Sequence, residues 1–357
     1  MATVQVFPVI PEDYPRLSAF LSESDEQPRG ENFWQARLNH WWDRNPAFQN
    51  PSPRGWTLQE NGSLVGFIGM IPTFFQMEGV ETTVFNVTTW RVLPACRKHS
   101  MKLLFELLKA AGRSLLFDTT PDAKIREVLK RFGFENIPGS GNGRSLILIN
   151  GSKLLARKIS HRFRGRFVGP LLDASFRTVQ SFRTRGLGMS DQEEVKRLEQ
   201  ADRSFEELWK ATRHRYRNTN LRTAEVINWY CFGNAAYRKE LFGYYKTGRL
   251  SGYAVCWGKE GAGGRELECV ELWLDPRETA AVRSVVYAVW EFAKKNFYDL
   301  ISFSHFTNEL GQLFKQSGLW SVGARQSDRY FKVPPEFRGR ITGTNSYFVG
   351  HQGDYGL

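Results

Sequence analysis

The chain has 357 residues, long enough for two packed domains each with its own core. Hydrophobic residues at 41% and aromatics at 14% exclude a disordered chain, and no apolar run approaches the ~20 residues that cross a bilayer. The opening MATVQVFPVIPEDYP lacks the basic-then-apolar pattern of a secretory signal, and the net charge of +12 is concentrated rather than spread.

In chain order, Val4 to Val9 predicts a strand, Pro11 to Leu21 a helix, and Asn32 to Trp42 an aromatic helix. Trp34, Trp41 and Trp42 there suit a core or a groove wall better than a nucleic-acid stacking platform. Gly55 to Glu60, the turn Asn61-Gly62 and Leu64 to Ile71 form a hairpin. A β-rich run then ends at Val92, and Pro94 to Ser100 is a short basic loop. An amphipathic helix follows from near Met101, with Leu103, Leu104, Leu107 and Leu108 on one face. A strand, a turn and a helix with uncommitted first amides make an anion site, because free N–H groups and the helix dipole point at the loop. Arg97, Lys98 and Lys102 add positive charge, so a phosphate or diphosphate fits. On charge alone, an ordinary strand–helix connection with solvated basic residues fits as well. Ser114 to Thr119 predicts a buried strand, Pro121 to Phe132 a helix stopped by Gly133, and Arg144 to Ile149 a last strand closing this part.

Between Lys153 and Arg185 nine basic residues face one acid, Asp173, and alternate with bulky apolar residues including Phe163 and Phe167. The pattern suits a solvated linker, a nucleic-acid contact or an interfacial helix pair at an anionic membrane. Basic and bulky apolar residues at helical spacing favour the membrane, and no nucleic-acid-binding motif is present. Beyond it the expected elements are a helix Asp191 to Ala211, a basic patch Arg213 to Arg217, and a helical segment Glu225 to Tyr230. Strands follow at Leu241 to Lys246, Leu250 to Trp257 and Glu266 to Leu274, then a helix Thr279 to Asn296, a strand Leu300 to His305 and a helix Glu309 to Ser317. GRLSGYAV echoes GSLVGFIG and KQSGLW echoes KRFGF, so the second half repeats the first. Cys96, Cys231, Cys256 and Cys269 have no CxxC spacing and read as reduced thiols of a cytosolic protein, with no metal site.

VLPACRKHSMKLL resembles the acyl-CoA-binding motif of the GNAT acyltransferases, V-x-P-x-x-R/Q-x-x-G-x-G/A opening a helix. Val92, Pro94 and Arg97 match, Ser100 stands at the first glycine and Lys102 at the second small residue. LLFDTTPDAKIREVLKRFGFENI resembles the later part of the family, with Leu129 where a tyrosine is common. In LDPRETAAVRS of the second half the motif has decayed.

The arrangement resembles tandem GNAT-like acyltransferases of bacterial envelope and lipid pathways, including bacterial ceramide synthases of GNAT type. The expected fold class is therefore α/β (α+β), with two GNAT-like units. A donor-binding domain spans 1–150, a basic amphipathic linker 151–189 and a degenerate second domain 190–357. The resemblance implies transfer of an acyl group from a thioester, on CoA or an acyl carrier protein, to an amine. Donor contacts are expected at Thr89, Trp90, Val92, Arg97, Lys98, His99, Ser100, Met101 and Lys102. Asp118, His305 and Asn308, at strand ends, are the candidates to orient or deprotonate the amine; a capping or core role for His305 fits equally. The acceptor expected from the basic segment is a lipid or lipid-linked amine, a sphingoid base foremost, at the cytoplasmic face of an inner membrane. An amino sugar and a non-catalytic GNAT-like scaffold are the alternatives.

Overall fold

The computed structural model describes residues 3–24, 29–49, 51–139, 143–150, 185–261, 264–323, 329–353 and 356–357. The chain is α/β, with two sheets and, among the described residues, eight α-helices. It forms two compact units, each assembled from separate stretches. The first comprises Met1–Ser140, Arg213–Tyr237 and Ser327–Leu357; the second comprises Gly141–Thr212 and Arg238–Gln326.

The sheet of the first unit uses β1 (Val4–Pro8), β2 (Gly55–Glu60), β3 (Ser63–Met77), β4 (Val80–Val92), β5 (Leu116–Asp118), β6 (Glu135–Asn136) and β15 (Tyr330–Lys332). Their order is β1-β2-β3-β4-β5-β15-β6, antiparallel throughout except for the parallel pair β4 and β5. Asn61 and Gly62, at φ 50° and 85°, make the β2–β3 turn that the Asn-Gly pair predicts. The helices are α1 (Tyr14–Glu23), α2 (Glu31–Trp41), α3 (Ser100–Ala111), α4 (Ala123–Arg131) and α6 (Ala224–Phe232).

Helix α3 buries Leu103, Leu104, Leu107 and Ala111; Leu103, Leu107 and Ala111 pack with Leu58, Ile68 and Met70 of the sheet. Each such leucine contributes about 1.5–3 kcal/mol by leaving water. On α4, Asp122 caps the start by accepting from the amides of Lys124 (2.7 Å) and Ile125 (2.8 Å). Trp34, Trp41 and Trp42 are all buried, and Trp42 Nε1 donates to the Met70 carbonyl at 2.9 Å. They are core, as their helical spacing implies.

The second unit uses β7 (Arg144–Leu148), β8 (Glu193–Leu198), β10 (Glu240–Lys246), β11 (Arg249–Gly261), β12 (Gly264–Trp273), β13 (Leu300–Ser304) and β14 (Trp320–Val322), with helices α5 (Ser204–Thr212), α7 (Thr279–Lys295) and α8 (Asn308–Gln316). Its order, β8-β10-β11-β12-β13-β7-β14, repeats that of the first sheet strand for strand, again with one parallel pair, β12 and β13. The echoed sequences fall at matching places: GSLVGFIG runs into β3 and GRLSGYAV into β11, while KRFGF and KQSGLW lead to β6 and β14.

Three sequence expectations change. Arg144–Leu148 does not close the first sheet; it lies between β13 and β14 in the second, pairing Ile147 with Ile301 and Leu146 with Trp320. The matching place in the first sheet is filled by β15, where Tyr330 pairs with both Asp118 and Asn136. Segment Arg213–Tyr237 belongs to the first unit, where β9 (Asn218–Asn220) pairs with Phe75 and Gln76 of β3 and with β16 (Ser346–Tyr347). Asp191 to Ala211 is not one helix: Glu193–Leu198 is an edge strand on β10, and the helix starts only at Ser204. Its Glu, Lys and Arg residues favour a helix locally, but pairing with β10 overrides that weak preference. The basic segment from Lys153 lies outside the described residues up to position 184.

Two outcomes follow from this topology. A fragment of residues 1–150 lacks β15 and should show no cooperative thermal transition by circular dichroism; a two-state melt would make β15 dispensable. Burial raises the Glu193 carboxyl, but hydrogen bonds from Tyr244 Oη (2.8 Å), Ser190 N (3.2 Å) and Ser284 Oγ (2.9 Å) outweigh it and hold it below the usual glutamate value. Its stabilisation is thus present above about pH 4.3 and lost as pH falls through the lowered folded value. Glu193→Gln should flatten the acid side of a urea-midpoint profile taken from about pH 5 to 3.

Candidate functional site

The first unit carries an irregularity in β4 just before the predicted anion turn. Gly66 pairs with Val92 and Phe67 with Arg91, but Gly69 pairs with Thr88, so Ile68 faces both Thr89 and Trp90. This is a β-bulge, and Thr89 adopts φ 48°, the left-handed region that non-glycine residues seldom enter. Two glycines on β3 make room for it. A Cβ at Gly69 would sit 2.4 Å from Thr88 Cγ2, and one at Gly66 would sit 2.9 Å from Val92 Cγ2. On its other side β4 pairs with β5 only at Phe85–Leu116 and Asn86–Phe117. Beyond Asn86 the two parallel strands part, leaving the edge of β4 from Val87 to Val92 without a ladder partner in β5. An extended thioester arm can add to such an edge by backbone hydrogen bonds.

The turn follows directly. Leu93 N donates to the Val65 carbonyl (2.9 Å), and Pro94–His99 forms a 3-10 turn running into α3, which no side chain caps. Cys96 faces inward and is buried, with its thiol pushed up by burial and by Glu60. Arg97 and Lys98 are exposed and make no ion pair among the described residues; His99, Ser100 and Met101 are half-buried. Lys102 is exposed, but its Nζ donates to the Val4 carbonyl of β1 at 2.9 Å. It ties α3 to the sheet edge, leaving Arg97 and Lys98 as the cations of the turn that have no ion pair among the described residues. Thr89, Trp90 and Val92 are half-buried at the bulge, with Trp90 and Val92 packed on the core. Arg91, one residue beyond the bulge, lies 5.7 Å from the Trp34 ring centroid and donates to the Ser24 carbonyl, so α2 walls this end of the strand.

Asp118 ends β5 beside the parting strands, and it is 6% exposed. One of its oxygens accepts from Thr120 N at 3.3 Å. Buried polar residues that the sequence did not single out gather here. Asn86 holds the Ile71 carbonyl and Thr73, and a Cβ at Gly353 would lie 2.9 Å from Asn86 Oδ1 and 3.1 Å from Thr119 Oγ1. The C-terminal segment that brings Gly353 also buries His351 and Gln352. The ending NSYFVGHQGDYGL also carries the family resemblance, but its few residues have no periodicity that would place it beside Asn86.

The corresponding place in the second unit is built differently. A register shift between Val255 and Cys256 leaves Val270 as the extra residue of β12. The following turn, however, is filled by its own carboxylate. Asp275 accepts from Arg277 N (3.0 Å), Nε (3.0 Å) and Nη2 (2.8 Å), so the position of an incoming anion is already negative and its arginine is engaged. His305 follows β13, half-buried, with Nε2 2.8 Å from the buried Ser145 Oγ and its ring stacked on Phe314. Asn308 is the exposed first residue of α8, whose cap is Thr307. His305 and Asn308 thus belong to the second unit and Asp118 to the first.

The sequence matches no protein-family model and no curated protein. Solved structures do resemble it. A probable N-acyltransferase of unknown function from Enterococcus faecalis aligns with TM-score 0.60 at 11% identity, covering 93% of this chain and 73% of that one. A GCN5-related N-acetyltransferase from Anabaena variabilis aligns at 0.58 and 11% identity, covering 92% and 72%. Saccharomyces cerevisiae N-myristoyltransferase with bound myristoyl-CoA aligns at 0.55 and 12% identity, covering 100% and 89%. The fold is that of the GNAT-type N-acyltransferases.

The bulge depends on the missing Cβ atoms. Gly69→Ala should destabilise the protein by about 1–3 kcal/mol through overpacking against Thr88, read as a lower urea midpoint with an unchanged slope.

Proposed function

We propose that the protein is an N-acyltransferase whose first unit holds an acyl thioester by its phosphopantetheine arm. The observation that carries this reading is the sequence of features along one strand: β4 leaves its parallel neighbour, bulges at Thr89 and runs into an uncapped helix start flanked by Arg97 and Lys98. The arm lies along β4 past Asn86, where β5 no longer pairs with it, and the donor phosphates sit at the turn, with His99, Ser100 and Met101 beside them. Lys102 steadies the turn from β1.

Amine acylation needs a deprotonated amine, a held oxyanion and a proton for the departing thiolate. Backbone N–H groups freed by the bulge near Thr89 and Trp90 receive the oxyanion. The amine nitrogen attacks the thioester carbonyl, the tetrahedral intermediate expels the thiolate, and the ammonium proton passes to a base. Asp118, at the parting of the strands, is the candidate base of the first unit and His305 that of the second; Asn308, an amide that cannot take the proton, is a candidate only to orient an amine by hydrogen bonding. The likeness to an N-myristoyltransferase that binds myristoyl-CoA supports a long-chain acyl-CoA donor.

The acceptor in this reading is the amine of a lipid or lipid-linked molecule, with a sphingoid base in front and an amino sugar behind it, collected at the cytoplasmic face of an inner membrane. Support comes from the sequence of the Lys153 to Arg185 segment. No helix among the described residues is long and apolar enough to cross a membrane. Sedimentation with anionic vesicles tests the membrane part. Binding should weaken with salt and with replacement of Phe163, Arg166 and Phe167, and a wild-type protein that stays in the supernatant at low salt removes the lipid acceptor.

For the donor, Arg97→Ala should raise the KM for acyl-CoA roughly 5- to 150-fold, the equivalent of about 1–3 kcal/mol for one charge-assisted bond, with kcat little changed. An unchanged KM moves the diphosphate elsewhere. Absence of any saturable acyl-CoA binding leaves a non-catalytic scaffold of the same fold.

A further inference from the structure

The positive charge at the donor turn does not stop at the turn. Along the outer face of α3 it continues through Lys102 and Lys109, spaced i and i+7, to Arg113 just past the helix, with Phe105 between them at i+3. From position 97 to 113 five basic residues stand against one acid, Glu106. Phe105 is 54% exposed and Leu93, at the start of the turn, 39%, so two large apolar side chains sit in a basic field. Arg113 pairs with Glu336 at 3.4 Å, whereas Arg97, Lys98 and Lys109 have no ion pair among the described residues.

The second unit provides an internal contrast. Around α7, which follows its carboxylate-filled turn, three cations are paired: Arg277 with Asp275, Lys246 with Glu278, Lys294 with Glu291. Beside the first unit's turn, by contrast, Arg97, Lys98 and Lys109 have no ion pair among the described residues. The donor phosphates account for Arg97 and Lys98, but not for Lys109, about 14 Å further along the helix axis from Ser100 at 1.5 Å per residue. Whatever carries the thioester arm must stand at this end of the groove.

We infer that this face docks an acidic acyl carrier protein, which delivers the acyl group on its phosphopantetheine arm. The inference rests on the acyltransferase reading and refines its donor. An exposed phenylalanine among lysines, as Phe105 is between Lys102 and Lys109, has the anatomy of a protein-interface anchor. A bilayer anchor requires a broader apolar face than Phe105 and Leu93 supply. Acidic residues on the carrier meet Lys98 and Lys109, which steers encounter and makes it salt-dependent.

The experiment compares two donors on the full-length protein: a myristoyl-loaded acyl carrier protein and myristoyl-CoA, each titrated at low and high salt against wild type, Lys109→Glu and Phe105→Ser. The expected result is carrier binding that weakens with salt and falls about tenfold in each variant, with myristoyl-CoA binding within about twofold of wild type, which also shows that the variants are folded. Wild type that binds myristoyl-CoA but not the carrier overturns the docking face and leaves the donor groove standing. Variants that bind the carrier like wild type overturn it too, as do variants that lose anionic-vesicle binding while keeping the carrier, which would make α3 a membrane face. Wild type that binds neither donor removes the acyltransferase reading along with the inference.

Discussion

The absence of two Cβ atoms governs the candidate site. Gly66 and Gly69 let β3 approach β4 so closely that Thr88 and Val92 occupy the space side chains would need, and the extra residue of β4 is then forced into the left-handed conformation of Thr89. The parallel pairing with β5 stops at Asn86, three residues before the bulge. The proposed donor groove hangs on that geometry: a stretch of β4 without a ladder partner in β5, the direction of the turn, and the start of α3 after it. The leucines of α3 then fix the helix on the sheet, so the anion turn is held by core packing rather than by its own loop.

Much of this was legible in the residues. The alternation into Val92, the proline, the basic loop and the leucine face of α3 gave strand, turn and helix nearly as found, because each rests on local periodicity. The hairpin at Asn61-Gly62 and the echo between GSLVGFIG and GRLSGYAV pointed to two like units, and the matching strand orders agree. What failed was non-local. Nothing in RSLIL says whether it pairs with Phe117 or with Ile301, since both are apolar strand positions; only the completed sheets decide. Glu193–Leu198 misled because its charged residues are good helix formers placed on a sheet edge, where one side faces water. The bulge itself left a trace, two glycines three apart in a strand, whose meaning requires knowing what lies opposite.

The two units share a topology but not a chemistry. In the first, the helix start is flanked by Arg97 and Lys98; in the second, Asp275 supplies the anion from within and neutralises Arg277. A single substitution class, carboxylate for phosphate, is enough to close one of two equivalent turns while leaving the fold intact.

The exchanged strands also bear on how the chain is made. Synthesis runs from the N-terminus, and β5 and β6 emerge long before β15, the strand that joins them, at positions 330–332. Through the intervening two hundred or so residues of translation, roughly ten seconds or more at cellular rates, the first sheet stands with two bare edges. The strand available nearest in time, β7, would fit that gap by length and apolar character yet belongs in the other sheet. The strand that fills the place between β5 and β6 is therefore settled only once the last part of the chain has emerged.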